Sequence, residues 1–216
     1  RGHFLPPVPD RRRMFAGGRL RVHAPMRVGE RVERRSELAG VQVKQGRSGE
    51  MVFVTLRHGF RRDGELLAVE QQDIVYRSQP AGAPRPAGAP APPPDEPAHR
   101  WRLELTTDPT LLFGFSALTS NSHRIHYDQP YATGVEGYPG LVVHGPLLAL
   151  LALEIPRRDP GVRPVRSVDY RLVRPAFVGP PLEAVGDPEG ELLTLAAGTV
   201  GQARSITAVV RLADPD

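Results

Sequence analysis

The sequence predicts an α+β protein in which antiparallel strands wrap a buried helix, and three observations predict it. Polar and apolar residues alternate through much of the first 77 positions, as in Arg19-Leu20-Arg21-Val22-His23, which is the pattern of half-buried strands. One segment, Gly145 to about Ile155, is apolar nearly all round (Leu147, Leu148, Leu150, Leu151, Leu153), the pattern of a helix without a solvent face. The stretch Pro25-Met26-Arg27-Val28-Gly29 recurs as Pro175-Ala176-Phe177-Val178-Gly179, 150 positions later, and each copy precedes a Glu-containing strand and a hairpin of longer strands.

The repeat implies two copies of one fold. A sheet wrapped on a central helix is the hot-dog arrangement, and two of them make a double hot-dog. Only the C-terminal copy shows its long buried helix, so the helix of the N-terminal half is expected to be missing or truncated. The expected divisions are an N-terminal, degenerate hot-dog half (1–77), a Pro/Ala/Gly-rich linker (78–98) and a C-terminal half (99–216).

Each element has its own signal. Residues 1–17 carry prolines and the run Arg11-Arg12-Arg13, and read as an extended lead-in. Strands follow over Arg19–His23, Arg31–Val43 and Met51–Leu56, the last rich in β-branched residues. Arg62-Asp63-Gly64 is a turn, and Glu65–Tyr76 returns the chain. In the linker, proline removes amide donors and fixes φ, which bars a core strand or helix. Trp101–Thr106 reads as a strand. Asp108-Pro109 is a helix-start signal, and Leu111, Leu112, Phe115 and Leu118 recur at helical spacing after it. Gly145-Pro146 opens the second helix and Pro156 is expected to stop it. Strands then return over Ser167–Val173, Leu182–Val185, Leu192–Val200 and Ser205–Leu212.

Composition narrows the function. With 216 residues and 40% hydrophobic content the chain can bury a real core. It has no cysteine, which excludes disulfides and thiolate metal sites and suits a cytoplasmic location. Its net charge is +4, and Lys44 is the one lysine. The arginines are scattered and accompany abundant Ala, Pro and Gly, so the charge reads as compositional bias and no nucleic-acid partner is expected. The apolar run Leu147–Leu153 is far too short to span a bilayer, and no membrane association is expected.

The chemistry should lie between Phe113 and Leu148, where His123, His126 and His144 fall in close order with Tyr127 and Tyr131. Histidine is the side chain whose ordinary pKa lies nearest neutrality, so His126 suits proton transfer, although a histidine bonded to backbone in the core is the plain alternative. His123 and His126 have a spacing that a metal can use, but no third ligand pattern follows, so no metal is expected.

The run FSALTSNSHRIHYDQPYA, followed by GLVVHGPLLALL, resembles the MaoC-like (hydratase 2 type) hydratases and dehydratases, hot-dog proteins that act on acyl thioesters. Their signature runs Ser-x-x-x-Gly-Asp-x-Asn-Pro-aliphatic-His, then a helix opening in Val-His-Gly. Ser116, Ile125, His126, Val143, His144 and Gly145 occupy matching positions. The form His-Arg-Ile-His-Tyr-Asp, with HFLPPVP, RRMFAGGRL and GRSGEMVFV, looks like the two-hot-dog branch that includes mesaconyl-C4-CoA (3-methylfumaryl-CoA) hydratase. In that branch a helical segment precedes HFLPPVP, which implies that the N-terminal part is absent here. The sequence departs from the signature where the family's Asp falls on Asn121, its Asn on His123 and its Pro on Arg124. An amide cannot be a general base.

The resemblance implies reversible hydration of an enoyl-CoA, or dehydration of a 3-hydroxyacyl-CoA, with a short branched dicarboxylyl group such as mesaconyl-C4-CoA favoured. The partner implied is an acyl-CoA or acyl-carrier thioester, with no cofactor and a homodimer. Such a reaction needs a base for water, a proton returned to the α-carbon and donors for the enolate oxygen. His126 is expected to move the proton, Asn121 to hold the water by accepting one of its protons, and His123 to stand in for the missing Asp. The Gly145 N–H, at a helix N-terminus, is expected to bind the thioester oxygen, and Pro146 cannot donate. His144 either shares that role or orders the loop. Arg124, Tyr127 and Ser116 are candidates for substrate or CoA binding. Arg124 would meet a phosphate or carboxylate unless it is a solvated surface charge, and Tyr127 and Tyr131 are packing residues on the plainer reading. The N-terminal half is expected to line the acyl tunnel and supply no acid or base. Two other functions compete: a thioesterase, for which no Asp or Glu stands at the helix start, and a silent acyl-CoA-binding protein, favoured by Asn121.

Overall fold

The computed structural model describes residues 11–46, 49–78, 98–159 and 161–214. The proline-rich stretch expected as a linker falls, but for its ends, outside the described residues, as does the chain before Arg11. In order, the elements are β1 (Arg11–Val22), β2 (Glu33–Gly46), β3 (Gly49–Arg62), β4 (Glu65–Ser78), β5 (Trp101–Leu105), α1 (Pro109–Leu118), a single 3-10 turn (Arg124–His126), a short π-helical turn (Tyr131–Val135), α2 (Gly145–Arg158), β6 (Val165–Leu172), β7 (Leu182–Glu189), β8 (Leu192–Thr199) and β9 (Ile206–Leu212). They fall into two compact units, one drawn from Arg1–Pro80, Pro164–Arg171 and Val210–Asp216, the other from Ala81–Arg163 and Leu172–Val209. No helix among the described residues is long and apolar enough to cross a membrane.

In the first unit the antiparallel neighbours are β2-β3-β4-β1-β6. Asp63 (φ 49°) and Gly64 (φ 86°) make the two-residue turn between β3 and β4, as the Asp-Gly pair predicts, because both positions need positive φ. Alternate residues of β3 and β4 (Val52, Val54, Leu56, Ile74, Tyr76) form one buried cluster, so the two-residue period reports a real inner face. β1 begins at Arg11, within the stretch expected to be an extended lead-in. A register shift between Phe15 and Gly17 breaks its alternation, which is why the pattern is not visible before Gly18. Gly17 cannot be replaced freely: its φ is 151°, and a Cβ there would strike the Tyr170 carbonyl oxygen on β6. The described residues of this unit hold strands and turns, and no helix.

The second unit carries the helices. β5 pairs with β7 and β7 with β8, and α2 packs on all three. α1 starts as expected: Asp108 Oδ1 accepts the Leu111 N–H at 2.7 Å, and Pro109 occupies the first turn. Its buried stripe is narrow, Leu112 and Ser116, while Leu111, Phe113 and Leu118 face outward. α2 departs from expectation twice. It runs past Pro156 to Arg158, and Leu150 is 55% exposed although its neighbours are buried. The repeated pentapeptide occupies equivalent places, after β1 and after β6, and its glycines share positive φ, 91° at Gly29 and 117° at Gly179.

Candidate active site

The end of α1 sets the site. The Asn121 N–H bonds the Ser116 carbonyl at 2.8 Å and the Ser120 N–H bonds that of Ala117 at 3.1 Å, with Ser120 left-handed at φ 48°. These are the two bonds of a Schellman closure, with serine where glycine is usual. Asn121 Oδ1 accepts the His123 N–H at 3.2 Å and turns the chain into the 3-10 turn that presents His126. The Val142 N–H then bonds the Ile125 carbonyl at 3.0 Å, and a bridge between Val142 and Phe177 anchors that strand-like segment. Two residues on, His144 caps α2.

Four of the sequence candidates converge here. The rings of His126 and His144 are stacked, with centroids 3.7 Å apart and planes 16° from parallel. His123 stands edge-on to His126 at 5.7 Å, and Phe115 edge-on to His144 at 4.8 Å. Ser116 Oγ lies 2.9 Å from His144 Nε2. His126 Nδ1 lies 2.7 Å from the Val142 carbonyl oxygen. A carbonyl only accepts, so His126 carries its hydrogen on Nδ1 and its lone pair on Nε2. His126, His144 and Ser116 are all buried.

Burial governs the electrostatics. It pushes His126 down to about 4, with His123 adding to the effect and the Val142 bond opposing it. It pushes His144 further, to about 3, helped by His126 and His123. Both rings are neutral at pH 7. Among the described residues no group of three His, Asp or Glu side chains is placed to hold a metal ion.

The chain holds Asn121, Arg124, Tyr127, Ser116 and Gly145 in place through local contacts. Asn121 Oδ1 is engaged by the His123 N–H. Arg124 gives Nε and Nη2 to Asp128 Oδ2 at 2.9 and 2.7 Å, and its guanidinium lies 4.1 Å over the Tyr131 ring. The Tyr127 hydroxyl donates to the Ser122 carbonyl at 2.9 Å and so braces the loop. Ser116 is committed to His144 and meets a ligand only through that ring. At Gly145 a Cβ would strike Leu172, so the absence of a side chain serves packing at the start of α2. Sequence reasoning does not find the Val142 carbonyl or the Phe115 edge, since a backbone oxygen carries no residue signature and Phe115 reads only as an apolar helix position.

The profile of the family described as hydroxyacyl-thioester dehydratase type 2 matches residues 1–178. The chain is 43% identical over 212 residues to the mesaconyl-C(4)-CoA hydratase of Chloroflexus aurantiacus, covering 98% of this chain and 74% of that one. Among solved structures, a MaoC-like dehydratase from Phytophthora capsici superposes with a TM-score of 0.73 at 16% identity, over 97% of this chain and 74% of the other. A Mycobacterium tuberculosis protein with a double hot-dog fold superposes with a TM-score of 0.57 at 18% identity, over 92% of this chain and 74% of the other. These likenesses establish the fold as an α+β double hot-dog.

Proposed function

Because the chain belongs to the hydroxyacyl-thioester dehydratase type 2 family, we propose that it is a hydro-lyase that reversibly hydrates an enoyl-CoA and dehydrates the matching 3-hydroxyacyl-CoA. The observation that carries this reading is the His126 tautomer: the Val142 carbonyl holds Nδ1–H and leaves the Nε2 lone pair to take a proton. Similarity to the mesaconyl-C(4)-CoA hydratase favours a short branched dicarboxylyl thioester as substrate.

In the hydration direction, His126 Nε2 takes a proton from water as the water oxygen bonds C3 of the enoyl group. Electrons of the C2–C3 double bond move onto the thioester oxygen as an enolate. The imidazolium then returns its proton to C2, the thioester carbonyl re-forms, and His126 is neutral again. The low basicity of His126 suits this, because the conjugate acid gives its proton up readily. The Asn121 amide nitrogen donates to the water oxygen, and in reverse it steadies the departing hydroxide. His123 lies beside His126 as the second titratable ring. The Gly145 N–H, first in a 14-residue helix, is a donor toward the thioester oxygen, favoured by the helix dipole. Tyr127 acts through the loop it braces, and the remaining Nη1 edge of Arg124 is available to a carboxylate or phosphate. The catalytic half in this proposal is 99–216. A homodimer in the cytoplasm belongs to the same proposal, and a chain without cysteine accords with a reducing compartment.

The test follows the enoyl-thioester absorbance with crotonyl-CoA and mesaconyl-C4-CoA. Wild type should remove the band and His126→Ala should not. Release of free CoA without loss of the double bond would replace this reading with a thioesterase.

A further inference from the structure

Neutral imidazole has one N–H and one lone pair, and both need partners when buried. His144 is 1% exposed, and Ser116 Oγ reaches its Nε2 at 2.9 Å. Its Nδ1 has no hydrogen-bond partner. Two arrangements of hydrogen fit the Ser116–His144 contact. If Nε2–H donated to Oγ, the serine hydrogen would lack an acceptor and Nδ1 would hold an unused lone pair, leaving two orphans in a buried place. If Ser116 donates to Nε2, the imidazole hydrogen sits on Nδ1 and one orphan remains. The second arrangement strands fewer groups and leaves a buried, unpartnered N–H beside the stacked ring of His126.

We propose that His144 is the electrophile of this site: its Nδ1–H donates to the thioester carbonyl oxygen as negative charge gathers there, and Ser116 is a positioning residue that fixes the required tautomer. The proposal rests on the hydratase reading and deepens it. No proton changes hands at His144. Its Nδ1 keeps the hydrogen throughout, while His126 carries the proton from water to C2. A neutral imidazole suits the task because it stabilises the oxyanion without ionising, and burial keeps this ring neutral. The donor ring lies against the ring of the base, with centroids 3.7 Å apart. The Gly145 N–H, next along the chain, supplies a second donor.

The experiment reads the donor apart from turnover. Nitrogen-15 NMR of the histidine-labelled wild-type chain at pH 7 should show His144 protonated at Nδ1 and bare at Nε2, and Ser116→Ala should weaken that bias. Saturated butyryl-CoA, which has no double bond to hydrate, should show a lowered carbonyl stretch by difference infrared when bound to wild type. His144→Phe should abolish that lowering and reduce kcat about 10²–10³-fold with KM changed far less. His144→Asn, whose amide nitrogen occupies the place of Nδ1, should recover part of both signals. His144→Gln, which reaches only the place of Nε2, should not. An Nε2–H tautomer, an unshifted carbonyl, or Asn performing no better than Phe would each overturn the proposal. Should His144→Phe fail to fold, the wild-type tautomer and carbonyl stretch still decide. A shifted carbonyl in a chain that hydrates neither crotonyl-CoA nor mesaconyl-C4-CoA would remove the hydratase reading and leave the donor standing.

Discussion

His126 Nδ1 and the Val142 carbonyl oxygen are 2.7 Å apart, and that one contact fixes which nitrogen of His126 is basic. It also ties the 3-10 turn after α1 to the segment leading into α2, two pieces of chain that together carry His123, His126 and His144. The bond restrains the ring as well as choosing the tautomer, so the base is held in place before any substrate arrives.

The pH dependence follows from burial of the two stacked rings. His126 lies at about 4 against an ordinary 6.5, so the free enzyme should keep its base unprotonated down to mildly acidic pH. The acid limb of kcat/KM should fall near pH 4, and a limb between 6 and 7 would refute the buried His126 as the base. Stability should show the same sign. Rings that bind protons less readily when folded favour the native state fully above about 6.5, and that contribution is lost as pH falls toward 4 for His126 and 3 for His144. Unfolding midpoints in urea between pH 7 and 4 should decline, and His144→Phe should flatten the decline.

Asn121 should act as a donor. Replacing it with alanine removes the amide nitrogen and should lower kcat about 10²-fold. Asn121→Asp should also be slow at neutral pH, for a different reason. A carboxylate near His126 favours the imidazolium, so the acid limb should move upward from about 4. If the aspartate variant is faster than wild type with an unmoved limb, the donor role is wrong.

Arg124 is held by Asp128 and Tyr131 with one edge left for an anion. Arg124→Gln should raise KM for mesaconyl-C4-CoA about tenfold, the equivalent of roughly 1.4 kcal/mol, and change KM for crotonyl-CoA little. Equal increases for both thioesters would assign the arginine to a phosphate of CoA instead of the free carboxylate. No change in either would return it to a structural ion pair.

Away from the site, Glu183 on β7 is 4% exposed and paired with Arg204 at 2.8 Å. Arg102 also stands within 3.0 Å of it. Arg204→Ala strands a buried carboxylate and should cost about 3 kcal/mol in urea unfolding. Adding Glu183→Leu should recover most of that loss. A single-variant cost below about 1 kcal/mol would show that Arg102 or water compensates.

What the sequence made legible depended on whether the signal was local. The β3–β4 turn was readable because Asp63-Gly64 suits positive φ at both positions. The start of α1 was readable because Asp108 and Pro109 satisfy the needs of a first turn. The first seven residues of β1 were not, since the bulge at Phe15–Gly17 erases the two-residue period. Pro156 reads as a stop, yet α2 continues two residues beyond it to Arg158. Within the site, His126 and His144 stood out by residue type and motif. The Ser116–His144 link did not, because the two are 28 positions apart and meet only through the turn that closes α1. The Val142 contact was invisible for a simpler reason: every residue has a carbonyl.

The two repeated glycines, Gly29 and Gly179, bear on handedness. At neither position would an added Cβ meet any atom within 4 Å, so no neighbour demands a missing side chain. What they share is the sign of φ, which L-amino acids adopt reluctantly and D-amino acids adopt by nature. A D-alanine introduced by chemical ligation at either place should fit and, by narrowing the unfolded ensemble, stabilise the chain, whereas L-alanine should strain it. The motif thus repeats a positive-φ position in two turns, and glycine supplies it there without the penalty of a Cβ.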